Sequence, residues 1–303
     1  MQLSIIGAMI CTVIFISLSN GATQQQFDST LSLICTNNFT LAQEQIETIK
    51  LADSTDPDYF ILTANMYFQK AQSHFIGMVQ GQPTEDSVIT LLDSSGNAVG
   101  FLDESTSFDN AVLDSGITAL SQGLSLHPDR VDCHFGLIHI LGVASRYSEM
   151  ADALISVMKR GITNSHQWWT LRGQRLEEEP RSYVLENVQS RVRRLIDTNS
   201  PATDALAAKI SEVIIECFPE SVYGYTNIGA LHAMYGRFRE SLPYLLRAHE
   251  IDKTDPIVIV NIAISYERSG QTEEAITYFD LLMKYGDGEQ QDYAKQKLSQ
   301  LRK

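Results

Sequence analysis

"VYGYTNIGALHAMYGRFRESLPYLLRAHEIDKTD" (Val222 to Asp255) is followed directly by "PIVIVNIAISYERSGQTEEAITYFDLLMKYGDGE" (Pro256 to Glu289), and the two align without a gap at a period of 34 residues. Asn227-Ile228-Gly229 falls on Asn261-Ile262-Ala263, Gly236 on Gly270, Glu240-Ser241-Leu242 on Glu274-Ala275-Ile276, and Tyr244-Leu245 on Tyr278-Phe279. A fixed period of this length marks a repeat in which each unit buries its apolar face by stacking on the next. Gly236 and Gly270 stand where a first helix must end and the chain reverse, a place suited to positive φ. Small residues at 229, 241, 263 and 275 let two helices approach, while larger neighbours fill the groove between them.

These columns resemble the tetratricopeptide repeat, a helix-turn-helix unit with the pattern W-x2-L-G-x2-Y, then A-x3-F, then P. Tyr225 and Ile259 stand in the tryptophan column, Ile228-Gly229 match L-G, and His232 and Tyr266 occupy the tyrosine column. Ser241 and Ala275 take the alanine place, followed by Leu245 and Phe279. The terminal proline column instead holds Lys253 and Asp287, and Pro256 supplies the punctuation. Pro243 is harmless only if it falls in the first turn of its helix; deeper, it removes a hydrogen bond.

Working outward, "HPDRVDCHFGLIHILGVASRYSEMADALISVMKRG" reads as most of another unit, with Pro128 as punctuation. Pro180 to Asp197 and Thr203 to Phe218 read as a further helix pair, and Asp56 to Gln72 as the first helix of the earliest unit. "VITLLDSSGNAVGFLDES" places two apolar runs around Ser94-Ser95-Gly96-Asn97, a hairpin signal. The expected fold is therefore an all-α tetratricopeptide-repeat solenoid of about five units with a small β-hairpin insertion in the first repeat. Its expected parts are a signal peptide (1–22), N-terminal helices (23–55), and a first repeat (56–130) with its insert near 87–103. Degenerate repeats (131–221), two clear repeats (222–255 and 256–289) and a capping helix (290–303) complete the chain. The order of parts is also similar to that of exported tetratricopeptide proteins of Bacteroidota, a group whose name carries no activity.

The largely apolar run from Ile5 to Leu18, followed by Ser19-Asn20-Gly21-Ala22, resembles a secretory signal cut near Gly21 or Ala22. The run is short for a membrane span, so the mature chain is expected to be exported without an integral span, to the periplasm or cell envelope. With 37 acidic against 23 basic residues and a net charge of -14, nucleic acid is excluded as an expected partner. After cleavage Cys35, Cys133 and Cys217 remain, widely spaced and without a CxxC. Free buried thiols are the default reading, with one bridge and a leftover thiol as the alternative.

No residue pattern points to catalysis, a cofactor or a metal. His134 and His139 are five apart and diverge on a helix, so they are poorly placed to share an ion. Neither Cys133 nor Cys217 sits in a nucleophile elbow, and no GxSxG, P-loop or G-x-G-x-x-G occurs. The reading is a non-catalytic scaffold binding a protein or peptide; the alternative is a structural module that self-associates or joins an envelope assembly. The resemblance implies a concave groove lined by first helices: Asp132, Phe135 and His139 in one unit, Tyr223, Thr226, Asn227 and Ala230 in the next clear one, then Val260, Asn261, Ile264 and Arg268. Trp168 and Trp169 form a further candidate, one expected to pack and the other to meet a partner, because aromatics anchor interfaces.

Overall fold

A computed structural model describes residues 22–79, 89–92, 98–170, 173–177 and 179–302; the expected signal segment lies almost wholly outside them. The chain divides into two compact units. The first runs to Arg146 and includes Gln167–Leu176; the second comprises Tyr147–His166 and Glu177–Lys303.

The first unit contains α1 (Gln24–Cys35), α2 (Phe39–Ala52), α3 (Pro57–Ala71), β1 (Gln72–Val79), β2 (Ile89–Leu92), β3 (Ala98–Phe108), α4 (Asn110–Leu126), α5 (Val131–Val143), β4 (Trp169–Thr170) and β5 (Gln174–Arg175). Its core gathers Phe27, Ile34, Ile46, Ile61, Leu62, Met66, Leu113, Leu120 and Ile140 from all five helices. α3 and α4 form a close hairpin. A Cβ on Gly123 would meet Phe60 Cβ at 3.0 Å, so only a residue without one allows that crossing.

The expected insertion is present and larger than a hairpin. β2 pairs antiparallel with β3; the expected Ser94–Asn97 hairpin signal lies outside the described residues. β3 continues as far as Phe108 and pairs with β1 in the register Gln72↔Phe108 to Val79↔Phe101, giving the strand order β1-β3-β2. β1 follows α3 without a loop, and β3 leads into α4 through Asp109, whose amide donates to the Ala71 carbonyl. The sheet thus takes the place of the turn in the α3/α4 hairpin. Cys133 and Cys217 are free and buried. Cys35 is disulfide-bonded, so the free-thiol reading fails there; the residue is half-buried at the end of α1.

The second unit contains α6 (Tyr147–Thr163), α7 (Pro180–Asp197), α8 (Pro201–Cys217), α9 (Val222–Met234), α10 (Phe238–Ile251), α11 (Pro256–Arg268), α12 (Thr272–Tyr285) and α13 (Gly288–Leu301). From α7 onward each helix packs on the next. This is the helix-turn-helix stacking of a tetratricopeptide array, carried by the 34-residue geometry itself. Gly236 and Gly270 close α9 and α11 with φ of 72° and 82°. His232 stacks on Tyr244 at 5.6 Å, and Tyr266 meets Tyr278 at 5.6 Å in the equivalent place. The histidine therefore does the packing work of the tyrosine column. Pro243 lies inside α10, beyond its first turn, so one backbone hydrogen bond of that helix is missing. α13 caps the stack: its Ala294 and Leu298 join Ile259, Phe279 and Leu282 in one core.

Candidate functional site

In the second unit, α7, α9, α11 and α13 form one row of helices tied side to side. Tyr223 on α9 donates its hydroxyl to Glu186 Oε1 on α7 at 2.7 Å. That bond, followed by burial, raises the phenol above its ordinary range. Lys297 on α13 lies 2.9 Å from Glu267 on α11. Between these, Asn227 and Gln189 exchange amide hydrogen bonds of 2.8 and 3.0 Å, and Asn227 also donates to Ser211 on α8 at 3.1 Å. Both amides are buried. A buried amide left unpaired costs the full desolvation penalty, so Asn227 acts as a strut between three helices, with its polar atoms turned to its neighbours.

The remaining groove candidates divide by exposure. Thr226 donates its hydroxyl to its own helix, at the Val222 carbonyl. Ala230, Val260, Asn261 and Ile264 are half-buried, and Arg268 is exposed. Two residues on the same face are missing from the sequence reading. Ile257 is 54% exposed and Met234 52%. Both were findable from the period, because Ile257 falls on the Tyr223 column and Met234 on the Arg268 column. Together, α9 and α11 present the column pairs Tyr223/Ile257, Thr226/Val260, Ala230/Ile264 and Met234/Arg268.

The candidates in the first unit go elsewhere. Asp132 is buried and accepts from Arg130 Nε at 2.9 Å and Nη2 at 2.5 Å, and from its neighbour's amide. Its carboxylate is committed to an internal ion pair. Phe135 is buried, and His139 packs its ring 5.4 Å from that of Phe68. The histidines disperse: His134 reaches the Pro128 carbonyl and His127 the Thr55 carbonyl. Among the described residues no group of three His, Cys, Asp or Glu side chains is placed to hold a metal ion.

Trp169 opens β4, opposite Arg175, and Trp168 stands just before it, its carbonyl accepting from the Leu176 amide at 2.8 Å. Successive residues of a strand face opposite ways. Trp168 is fully buried, edge-on to His134 at 5.6 Å, while Trp169 is 45% exposed. Trp169 helps to line a cavity of about 470 Å³ whose walls include Leu126, Pro128, Pro57, Asp53 and Arg130.

No family model matches the chain, and no curated protein does. Solved structures similar to it include YrrB, a TPR protein with an unusual peptide-binding site (15% identity, 62% of this chain and 85% of that one, TM-score 0.39). PilW, a widely conserved type IV pilus biogenesis factor, is 11% identical over 91% of this chain and 99% of its own, with a TM-score of 0.38. Pseudomonas aeruginosa pilF is 12% identical over 62% and 80%, with a TM-score of 0.37. Likeness at these values carries no weight for function.

Proposed function

We propose that this chain is a non-catalytic interaction scaffold that binds a protein or peptide along the α9/α11 face of its second unit. The observation that supports this most is the exposed apolar row, in which Ile257 and Met234 flank the half-buried Ala230, Val260 and Ile264. Large side chains left open in line on consecutive repeats are a contact surface without a function in folding. Arg268 at one end adds a charge that suits an acidic group on the ligand. The apolar run at 5–18, which resembles a secretory signal, supports binding outside the cytoplasm. Among the described residues no helix is long and apolar enough to cross a membrane.

The test is site-specific photo-crosslinking in an envelope extract, with the probe at position 257 or 264 and a control at Tyr244 on α10. Adducts are expected at 257 and 264 but not at 244, and Ile257→Asp with Ile264→Asp should weaken capture about tenfold or more. Equal labelling at all three positions would sink the reading. A second reading, self-association through the first unit, is favoured by exposed Trp169 and Leu126 beside one cavity. Light scattering at high concentration decides it: a strict monomer removes it, and a dimer lost in Trp169→Ala supports it.

A further inference from the structure

The cavity beside Trp169 lies wholly within the first unit. Three segments wall it: the turn Asp53–Pro57 ahead of α3, the link Leu126–Arg130 between α4 and α5, and the β4/β5 ribbon at Trp169 and Gly173. Its volume of about 470 Å³ is that of a small-ligand site. The backbone fixes Trp169 in the wall: its amide donates to the Asp129 carbonyl at 2.9 Å, and it forms a parallel bridge with Arg130. The indole stays open to solvent beside exposed Leu126, and Pro57 and Pro128 complete the apolar lining.

The polar lining is acidic. Asp53, Asp56 and Asp129 face Arg130 there, and Arg130 is committed to carboxylates of its own, pairing with Asp132 and lying 3.9 Å from Asp58. Asp56 is committed inward, where Oδ1 accepts from the Asp58 amide at 2.9 Å and Oδ2 from the Ala22 amide at 2.8 Å. Asp53 differs, because it is exposed. The Thr55 amide and hydroxyl both donate to its Oδ1, at 2.8 and 2.7 Å, which leaves Oδ2 for a ligand. The same two bonds hold this carboxyl below its ordinary range, so it is charged at neutral pH. The first unit as a whole has fifteen acidic and six basic residues, so the potential around the cavity is negative whichever internal pairs form.

We infer that this cavity binds an arginine side chain of a partner protein, its guanidinium stacked on the Trp169 indole and hydrogen-bonded to Asp53 Oδ2. A cation over an indole face is attracted by the ring quadrupole. A guanidinium is planar, so it lies on the ring and still turns an N–H edge to a carboxylate. A lysine ammonium is a strongly hydrated point charge and gains less from the pair. An acidic segment, or a second copy presenting this same unit, meets like charge. The chain carries its own control. The turn Asp53–Pro57 recurs as Asp252–Pro256, where Asp252 accepts from the Thr254 amide and hydroxyl in the same way. That copy lies in the second unit, whose sequence holds no tryptophan.

The test reads the indole N–H signals of the two tryptophans in the ¹⁵N-labelled protein by NMR, assigned with Trp169→Phe. The probe is a pentapeptide with one arginine between glycines, blocked at both ends. It is expected to move the Trp169 signal and leave that of Trp168 in place, saturating on the order of 1 mM. The lysine version should bind several-fold more weakly, and the glutamate version should move nothing. Asp53→Asn, whose amide oxygen still accepts from Thr55, should weaken the arginine peptide about fivefold; Asp252→Asn should leave its affinity unchanged. A Trp169 signal that stays in place, an equal shift from the glutamate or lysine peptide, or equal losses in the two variants overturns the proposal. A signal that moves on dilution without peptide gives the cavity to a second copy and overturns it as well.

Discussion

The two gapless repeats share a frame and differ in what abuts them. Both end their first helix on a glycine at positive φ, and both stack a ring of the first helix on a tyrosine of the second. The differences fall where each unit meets the one before it. Gly224 stands where the next repeat has Val258. A Cβ on Gly224 would lie 2.7 Å from both the Ser211 carbonyl oxygen and Ile215 Cγ1, whereas Val258 fills space beside Leu242 and Leu245. Asn227 is locked into a polar strut, while Asn261 is half-buried. Contacts inside a repeat thus follow its own pattern, and contacts between repeats follow the neighbour.

The largest effect comes from forcing the two units to match. Gly224→Val places a side chain against backbone that cannot withdraw, so urea unfolding should show a loss of about 3 kcal/mol. Next is the asparagine column. Asn227→Ala leaves Gln189 unpaired in the interior and should cost about 2 kcal/mol, against about 0.5 kcal/mol or less for Asn261→Ala; equal costs would erase the distinction between strut and surface. Smaller still, Gly236→Ala and Gly270→Ala should each cost about 1 kcal/mol. An added Cβ meets nothing within 4 Å at either glycine, so the penalty is conformational and the two values should agree.

The smallest effect is a pH dependence that belongs to the first repeat of the pair. His249 packs edge-on to Tyr278 at 5.4 Å. Burial, then Lys253, hold it below its ordinary 6.5, with Asp252 opposing. The folded state therefore prefers neutral imidazole, and the unfolded chain binds the proton more readily. The stability this group contributes is present above about pH 6.5 and is lost as pH falls through its lower folded value. His249→Phe keeps a ring on Tyr278 and should flatten the Tm-against-pH curve in that window; an identical acid slope would remove His249 as its source.

Much of the fold was legible because the period reports it. The glycine turns, the His232/Tyr266 equivalence and the boundaries of α7 follow from residue spacing along the chain. β1 was not legible. It continues α3 without punctuation, and its partner strand begins more than twenty residues on, so no local pattern shows the pairing. The fate of Asn227 was hidden for a similar reason: its amide partner Gln189 is 38 residues away and on another helix. Ile257 and Met234, by contrast, could have been reached by applying the period strictly.

The sequence by itself determined the repeat, its helix-turn-helix units and the insertion near residue 90. Only the tertiary structure decided which groove residues stay open. It turned Asn227 and Asp132 inward, buried Trp168 while exposing Trp169, and brought Ala22 to Asp56. The reason is physical. Periodicity fixes the direction of a side chain relative to its own helix or strand, whereas burial, pairing and charge depend on which other segment arrives opposite it.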